Sequence, residues 1–471
     1  MLIRAAEIGI AQPRIVDLRI AQGHIAEIAQ QLEAQAGETV IDAQGGALLP
    51  SLHDHHLHLY AYAAAQESLV CGPPQLHGVD ELQRALQARD AQLEGGAWLR
   101  GIGYHESVAG DIDRDWLDRH GPPRPLRIQH RSGRLWILNS LALQAIGASE
   151  SDATPLQRDA AGRYTGRLYD ADDWLRSRRP SRRPSLHAVS RQLAAYGITG
   201  VTDTTPGNGA DMFEVFASAI ERGELLQDVL MMGDASLDGC VDRAGPVRCG
   251  AHKFHLHDAD LPDFDALCAA IRSSHAVGRG AAFHCVSRTD LTFALAALAE
   301  AGVVPGDRIE HAGVTPPELL AWMAGLGVAV VSQPGFIAER GDAYVTDVDV
   351  DDRPWLYRLR AFRDAGITLA GSSDAPFGDA NPWKAMQAAV SRRTGGGVVI
   401  GADESLTPEQ ALALFLMPAD VRQRLPRQIQ AGAEADLCLL DRPWKRARLD
   451  LQQLRPRMTF KRGLPIAGIG P

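Results

Sequence analysis

The chain is poor in the features that mark specialised protein classes. It has only six cysteines (Cys71, Cys240, Cys249, Cys268, Cys285 and Cys438), with no Cys-x-x-Cys pair and no framework spacing. That argues against a disulfide scaffold and fits isolated thiols in a reducing compartment. Basic charge is in deficit: 48 Lys and Arg stand against 58 Asp and Glu, a net charge of −10 with pI near 5.9. This balance argues against a nucleic-acid partner. No stretch approaches the roughly 20 apolar residues that span a bilayer. The N-terminus has neither a basic region nor a long apolar run, so no signal peptide is expected. No internal repeat is evident. The expectation is a cytoplasmic protein with no membrane partner.

What is present is ordinary in composition, with 45% hydrophobic and 23% charged residues, as in soluble globular proteins. A length of 471 residues suggests about three domains, a barrel counting as one large one. Short alternating runs at Val16–Ile20, Ile25–Ile28 and Val40–Asp42, punctuated by Gly23, read as a small antiparallel sheet. Such a sheet is marginal alone. The C-terminal runs Ala435–Leu440 and Met458–Gly463 offer it a partner, so the two ends are expected to form one β-sandwich, residues 1–48 plus 421–471. Residues 72–185 are mixed and proline-interrupted, with a helix expected over Val79–Leu93, a strand over Pro125–Gln129 and a helix over Leu141–Ile146. They read as an inserted α+β subdomain. The basic stretch Arg176–Pro184 reads as a solvated linker in preference to an anion-binding patch.

Eight apolar runs fall in the remainder: 47–52, 197–203, 228–232, 251–256, 280–285, 308–311, 328–332 and 367–371. Helical stretches over 211–222, 263–277, 289–301, 316–326 and 357–365 separate most of them, although none is visible between the strands at 228 and 251. The pattern predicts an α/β fold, a (β/α)8 barrel over 49–71 plus 186–420.

Leu48-Leu-Pro-Ser-Leu-His-Asp-His-His-Leu-His58 places four histidines within six residues. In a strand His56 and His58 point the same way, as two metal ligands would; a histidine-rich surface loop explains the stretch alone equally well. His53 and His55 have the opposite parity and are expected to be structural or exposed. The other barrel strands end in matching chemistry: Lys253 with His255 and His257, His284, Glu310-His311, and Asp374. In a barrel these ends converge, which favours a metal site over a set of separate structural roles. Divalent zinc takes imidazole and carboxylate ligands and leaves a position for an activated water. Asp374 would accept that water's proton and deliver it to a leaving nitrogen. A neutral Lys253 amine would capture carbon dioxide and offer a bridging carbamate to two metals.

In order and spacing these segments resemble the metal-dependent amidohydrolase superfamily, and within it the amidohydrolase-3 group. Besides the opening stretch, Trp98–Gly103, Gly197–Asp203, Arg308–His311, Gly371–Pro376, Leu406–Leu412 and Gly432–Asp441 match recurrent segments. The resemblance covers nearly the whole chain. It implies that His56, His58, Lys253, His284, His311 and Asp374 hold one or two divalent ions, with zinc expected and Lys253 carboxylated in the two-ion case. It also implies a small-molecule substrate cut at a non-peptide C–N bond. The runner-up is a deaminase of a heterocyclic amine with one metal; a silent homologue serving as a binding protein is the third reading.

The sequence departs from the group's pattern at Ser51, at His284–Asp290 and at Arg134, which stands where a histidine is common. Arg134 would suit an acidic substrate group by bidentate hydrogen bonding; a salt bridge within the inserted subdomain explains it equally well. His255 and His257 are expected to bind substrate or to replace Lys253 as ligand. Glu310 is expected to face away from the site, with a packing role or a supporting one behind the ligands, and Asp54 to orient a neighbour. Gln333–Arg353 reads as a solvated loop or lid. A homo-oligomer is left open as a partner.

Overall fold

Runs such as Ala281–Cys285 and Ala329–Ser332 are apolar on both faces, which suits parallel strands covered on each side. Eight such strands form one parallel sheet in chain order: β1 (Leu52–Leu57), β2 (Ile198–Asp203), β3 (Asp228–Gly233), β4 (Val247–His255), β5 (Ala281–Cys285), β6 (Arg308–His311), β7 (Ala329–Ser332) and β8 (Leu369–Gly371). The ends of β8 and β1 meet, with Asp374 N donating to His56 O at 2.8 Å and His58 N to Ala375 O at 2.9 Å. The result is a nearly closed (β/α)8 barrel. These features come from a computed structural model that describes all residues except 74, 150–153, 179–182, 242, 259 and 469–471. The centre of the basic stretch, 179–182, thus lies outside the described residues.

The structure corrects two barrel boundaries. Leu48–Pro50 belongs to the sandwich, pairing antiparallel with Leu437–Leu439, and the first barrel strand starts only at Leu52. The chain crosses between sheets at Ser51, whose buried hydroxyl lies 2.6 Å from Thr199 Oγ1. The helix missing from the pattern after β3 is a short 3-10 turn, Ala235–Cys240, capped by Asp234, and β4 begins at Val247. The other connecting helices fall within two residues of expectation, including Phe264–Ala276, Arg288–Ala301 and Pro317–Leu326. Ser287 and Asp290 close a capping box at the start of Arg288–Ala301.

Residues 333–353 are not a plain loop. Gly335–Asp347 is a helix, because Phe336 and Ile337 bury against Leu356, Tyr357 and Ile400, with Tyr344 and Val345 packed alongside. The acidic tail after Asp347 obscured that apolar face.

Two four-stranded sheets, one from residues 2–42 and one from Leu48–Pro50 with the C-terminal strands, share a core that includes Ile3, Leu18, Ile20, Leu437, Leu439 and Phe460. Sandwich and barrel form one compact unit, Met1–Leu59 plus Leu186–Pro471. Tyr60–Ser185 forms a second, built on a six-stranded mixed sheet. Its helices Val79–Asp90 and Ser140–Ala145 and strand Leu126–His130 lie where the pattern puts them. Among the described residues no helix is long and apolar enough to cross a membrane.

Candidate metal centre

The register of the barrel sets the height of each polar side chain. His255 pairs with His284 across β4 and β5, and His284 with Glu310 across β5 and β6. His56 lies within β1, fully buried, while His58 follows the strand end. His53 faces the other way and packs against Gly200, where an added Cβ would meet its Nδ1 at 2.5 Å. It hydrogen-bonds Thr202 Oγ1 at 2.9 Å, a structural arrangement, and His55 is buried like it.

His56, His58 and Asp374 form a group able to hold a metal ion, their ligand atoms all lying within 4.8 Å of one another. Asp374 Oδ1 sits 3.4 Å from His56 Nε2 and 3.3 Å from His58 Nε2. The other nitrogen of each ring is engaged behind the group. His56 Nδ1 lies 2.6 Å from Glu310 Oε2, and His58 Nδ1 3.1 Å from Thr205 Oγ1. Burial disfavours the Glu310 carboxylate, but Arg308, Lys253 and His56 hold it well below the usual carboxylate range. An ionised Glu310 only accepts, so Nδ1 of His56 donates to it, and Nε2 is the ring atom that faces Asp374. Burial and Lys253 work against protonation of His56, yet Glu310 and Asp374 carry it above its ordinary value. Asp374 itself is pushed up by burial and drawn down further by His56, His58 and His311.

Glu310 therefore turns toward the site, where strand alternation had predicted it to face away. The backbone explains the difference. His311 has φ +69° and Ala312 φ +48°, so alternation ends at the last strand residue and Glu310 and His311 both reach the same region. Asp374 likewise has φ +56°; left-handed residues other than glycine cluster where a site over-determines the backbone. Asp54 Oδ1 accepts from His56 N and Ser373 N at 3.2 and 3.1 Å, which ties β1 to the residue before Asp374.

His311 and His284 lie next to this group. His311 Nε2 is 2.9 Å from His284 Nδ1, and its ring centre 4.8 Å from that of His56. A chain of hydrogen bonds fixes the ring of His311. Ser372 Oγ donates to Ser332 O at 3.1 Å, Gln333 Nε2 donates to Ser372 Oγ at 3.0 Å, and Gln333 Oε1 lies 2.8 Å from His311 Nδ1. Because the carbonyl only accepts, the whole chain has one polarity, and Nδ1 of His311 is the donor. Burial holds His311 down to about 3. Burial also lowers His284, as do His311 and His255.

Lys253 is buried, and among the described residues its Nζ has no hydrogen-bond partner. Burial lowers its amine to about 8. His255 and His257 are exposed at the same end of the barrel, with ring centres 4.4 Å apart and His255 4.3 Å from His284. Arg134 belongs to the other unit, where Nε and Nη2 meet Asp170 at 2.8 and 2.5 Å. Any substrate carboxylate would have to displace that partner. Sequence reasoning missed Gln333 and Thr205; the only available signal was a polar residue just beyond a strand end.

The amidohydrolase family profile matches residues 39–467. The chain belongs to the amidohydrolase family. As an amidohydrolase it is a hydrolase acting on carbon–nitrogen bonds. It is 26% identical to the N-substituted formamide deformylase of Arthrobacter pascens, with 96% of each chain covered. It is 25% identical to the putative amidohydrolase YtcJ of Bacillus subtilis, with 85% of each covered. In fold it resembles a metal-dependent hydrolase from Pyrococcus horikoshii, at TM-score 0.78 and 17% identity, over 96% of this chain and 99% of that one.

Proposed function

We propose that this amidohydrolase cleaves a non-peptide amide or related C–N bond at a divalent metal held by His56, His58 and Asp374, with His284, His311 and Lys253 completing the donor set. The observation that carries this reading is the convergence of two imidazole Nε2 atoms on Asp374 Oδ1 with both Nδ1 atoms engaged from behind. That donor set suits zinc. A divalent ion supplies, when bound, a Lewis acid for the carbonyl and a route to a nucleophile at neutral pH. The chain's own residues do the rest. Asp374 takes the proton of the attacking water and passes it to the leaving nitrogen. Glu310 and Gln333 hold His56 and His311 with Nδ1 as donor, and Thr205 engages Nδ1 of His58, which leaves the Nε2 atoms as the ring nitrogens for a metal. The likeness to an N-substituted formamide deformylase makes N-substituted formamides the first substrates to try.

The buried Lys253 Nζ, without a hydrogen-bond partner among the described residues, supports a carbamate there. A neutral amine adds carbon dioxide and releases one proton, and the resulting carboxylate answers the missing hydrogen bonds.

Metal analysis of purified protein tests the centre. About two ions per chain, falling to about one in Lys253→Ala, are expected with the carbamate; one ion in both proteins removes it. Asp374→Asn should lower kcat on an N-substituted formamide by about 100-fold or more. A chain that binds no divalent metal overturns the proposal.

A further inference from the structure

We propose that Arg340 sets the specificity of this site and that its substrate is a small amide bearing a carboxylate. This rests on the amide-hydrolysis reading above and adds the substrate class.

Arg340 lies on the helix Gly335–Asp347 that follows β7. The residue is half-buried, and its guanidinium stacks over the Phe336 ring at 4.0 Å from the centroid while its Nη2 end stays exposed. Nη2 donates to Phe377 O at 2.6 Å, and the Tyr344 phenol feels the charge of the group. Among the described residues it has no carboxylate within ion-pairing distance. Its neighbour Glu339 accepts from Asp379 N, at 3.2 and 3.1 Å from its two oxygens, and feels the Arg340 charge without an ion-pair contact.

Two short routes join Arg340 to the metal group. Phe377, the residue it holds by the carbonyl, packs edge-on against His58 with ring centres 5.8 Å apart. The Tyr344 hydroxyl lies 3.4 Å from that of Tyr357, which feels the charges of both Arg340 and Asp374. The Phe377 side chain is 54% exposed, an apolar surface beside the reacting end. A ligand with its scissile amide at Asp374 and an apolar stem on Phe377 would bring a terminal anion to the guanidinium. Planar guanidinium matches carboxylate in a two-pronged arrangement. Arg134, by contrast, is already committed to Asp170.

The test compares N-formylglycine with N-formylglycinamide, a pair differing only in charge. On metal-loaded wild type the acid should have a KM roughly 10- to 100-fold lower than the amide, with similar kcat. Arg340→Gln should abolish that preference, and Arg340→Lys should keep part of it. Equal KM values in wild type, or a preference that survives Arg340→Gln, overturn the proposal. If both compounds are turned over without preference, the amide-hydrolysis reading stands and this inference fails. If neither is turned over, calorimetry on the metal-loaded chain with the same pair reads the inference alone. Tighter binding of the acid that disappears in Arg340→Gln supports it, and equal binding overturns it.

Discussion

Glu310 Oε2 lies 2.6 Å from His56 Nδ1, although the two residues are 254 positions apart in the chain. The other carboxylate oxygen meets Arg308 Nε at 2.5 Å, so one buried side chain joins a structural cation to a candidate ligand.

Glu310→Gln should therefore weaken metal binding by about 10- to 100-fold, since it removes the acceptor charge that fixes the His56 tautomer. Competition with a chromophoric chelator measures this directly. The melting temperature should fall as well, because Arg308 keeps a buried charge with its partner neutralised. Unchanged metal affinity would show that Glu310 serves only Arg308.

Gln333→Leu leaves His311 Nδ1 without its acceptor, at a cost of about 1–3 kcal/mol in stability. Nitrogen chemical shifts should show His311 losing its single tautomer. Activity on an N-substituted formamide should drop by about tenfold or more. A variant with native kcat and an unchanged His311 spectrum would remove Gln333 from the positioning chain.

Arg134→Ala should leave KM unchanged for acidic and neutral substrates alike, because its guanidinium is held by Asp170 on an exposed surface. A selective rise in KM for acids would return the substrate-binding role to Arg134.

Asp290 carries the pH prediction. Burial raises its carboxyl to about 6, helped by a hydrogen bond shared with Asp258, whose own pKa is lowered first by that same bond. A raised carboxyl pKa means the folded chain binds more protons than the unfolded one between about 4 and 6. The Asp290 contribution is present at low pH and is lost as pH rises through that window. Asp290→Asn can still accept from Val286 N and Ser287 N and donate to Asp258, so it should retain the capping box. Melting curves from pH 4.5 to 7.5 should show wild type losing stability relative to the variant. Parallel curves would contradict the assignment.

Much of this was legible in the residues because local physics speaks directly. Apolar runs such as Val328–Ser332 are long enough for a strand and too uniform for a half-exposed one. The parity of His56 and His58 separates them from His53 and His55, which the structure buries on the other side. The helix Gly335–Asp347 was obscured because its apolar face is defined by Leu356, Tyr357 and Ile400, residues outside it.

The sequence by itself determined the alternating strands and helices of the barrel and the residue types that stand at the strand ends. These follow from periodicity and from which side chains bind metals. Only the tertiary structure decided which neighbours act together. The left-handed turn at His311 brings Glu310 to His56, and the approach of β7 to β8 lines up Ser332, Ser372 and Gln333 behind His311. Among the described residues Arg340, stacked over Phe336, has no carboxylate in ion-pairing contact, whereas Arg134 is paired with Asp170. Such relations depend on distances between residues far apart in the chain, and no local pattern encodes them.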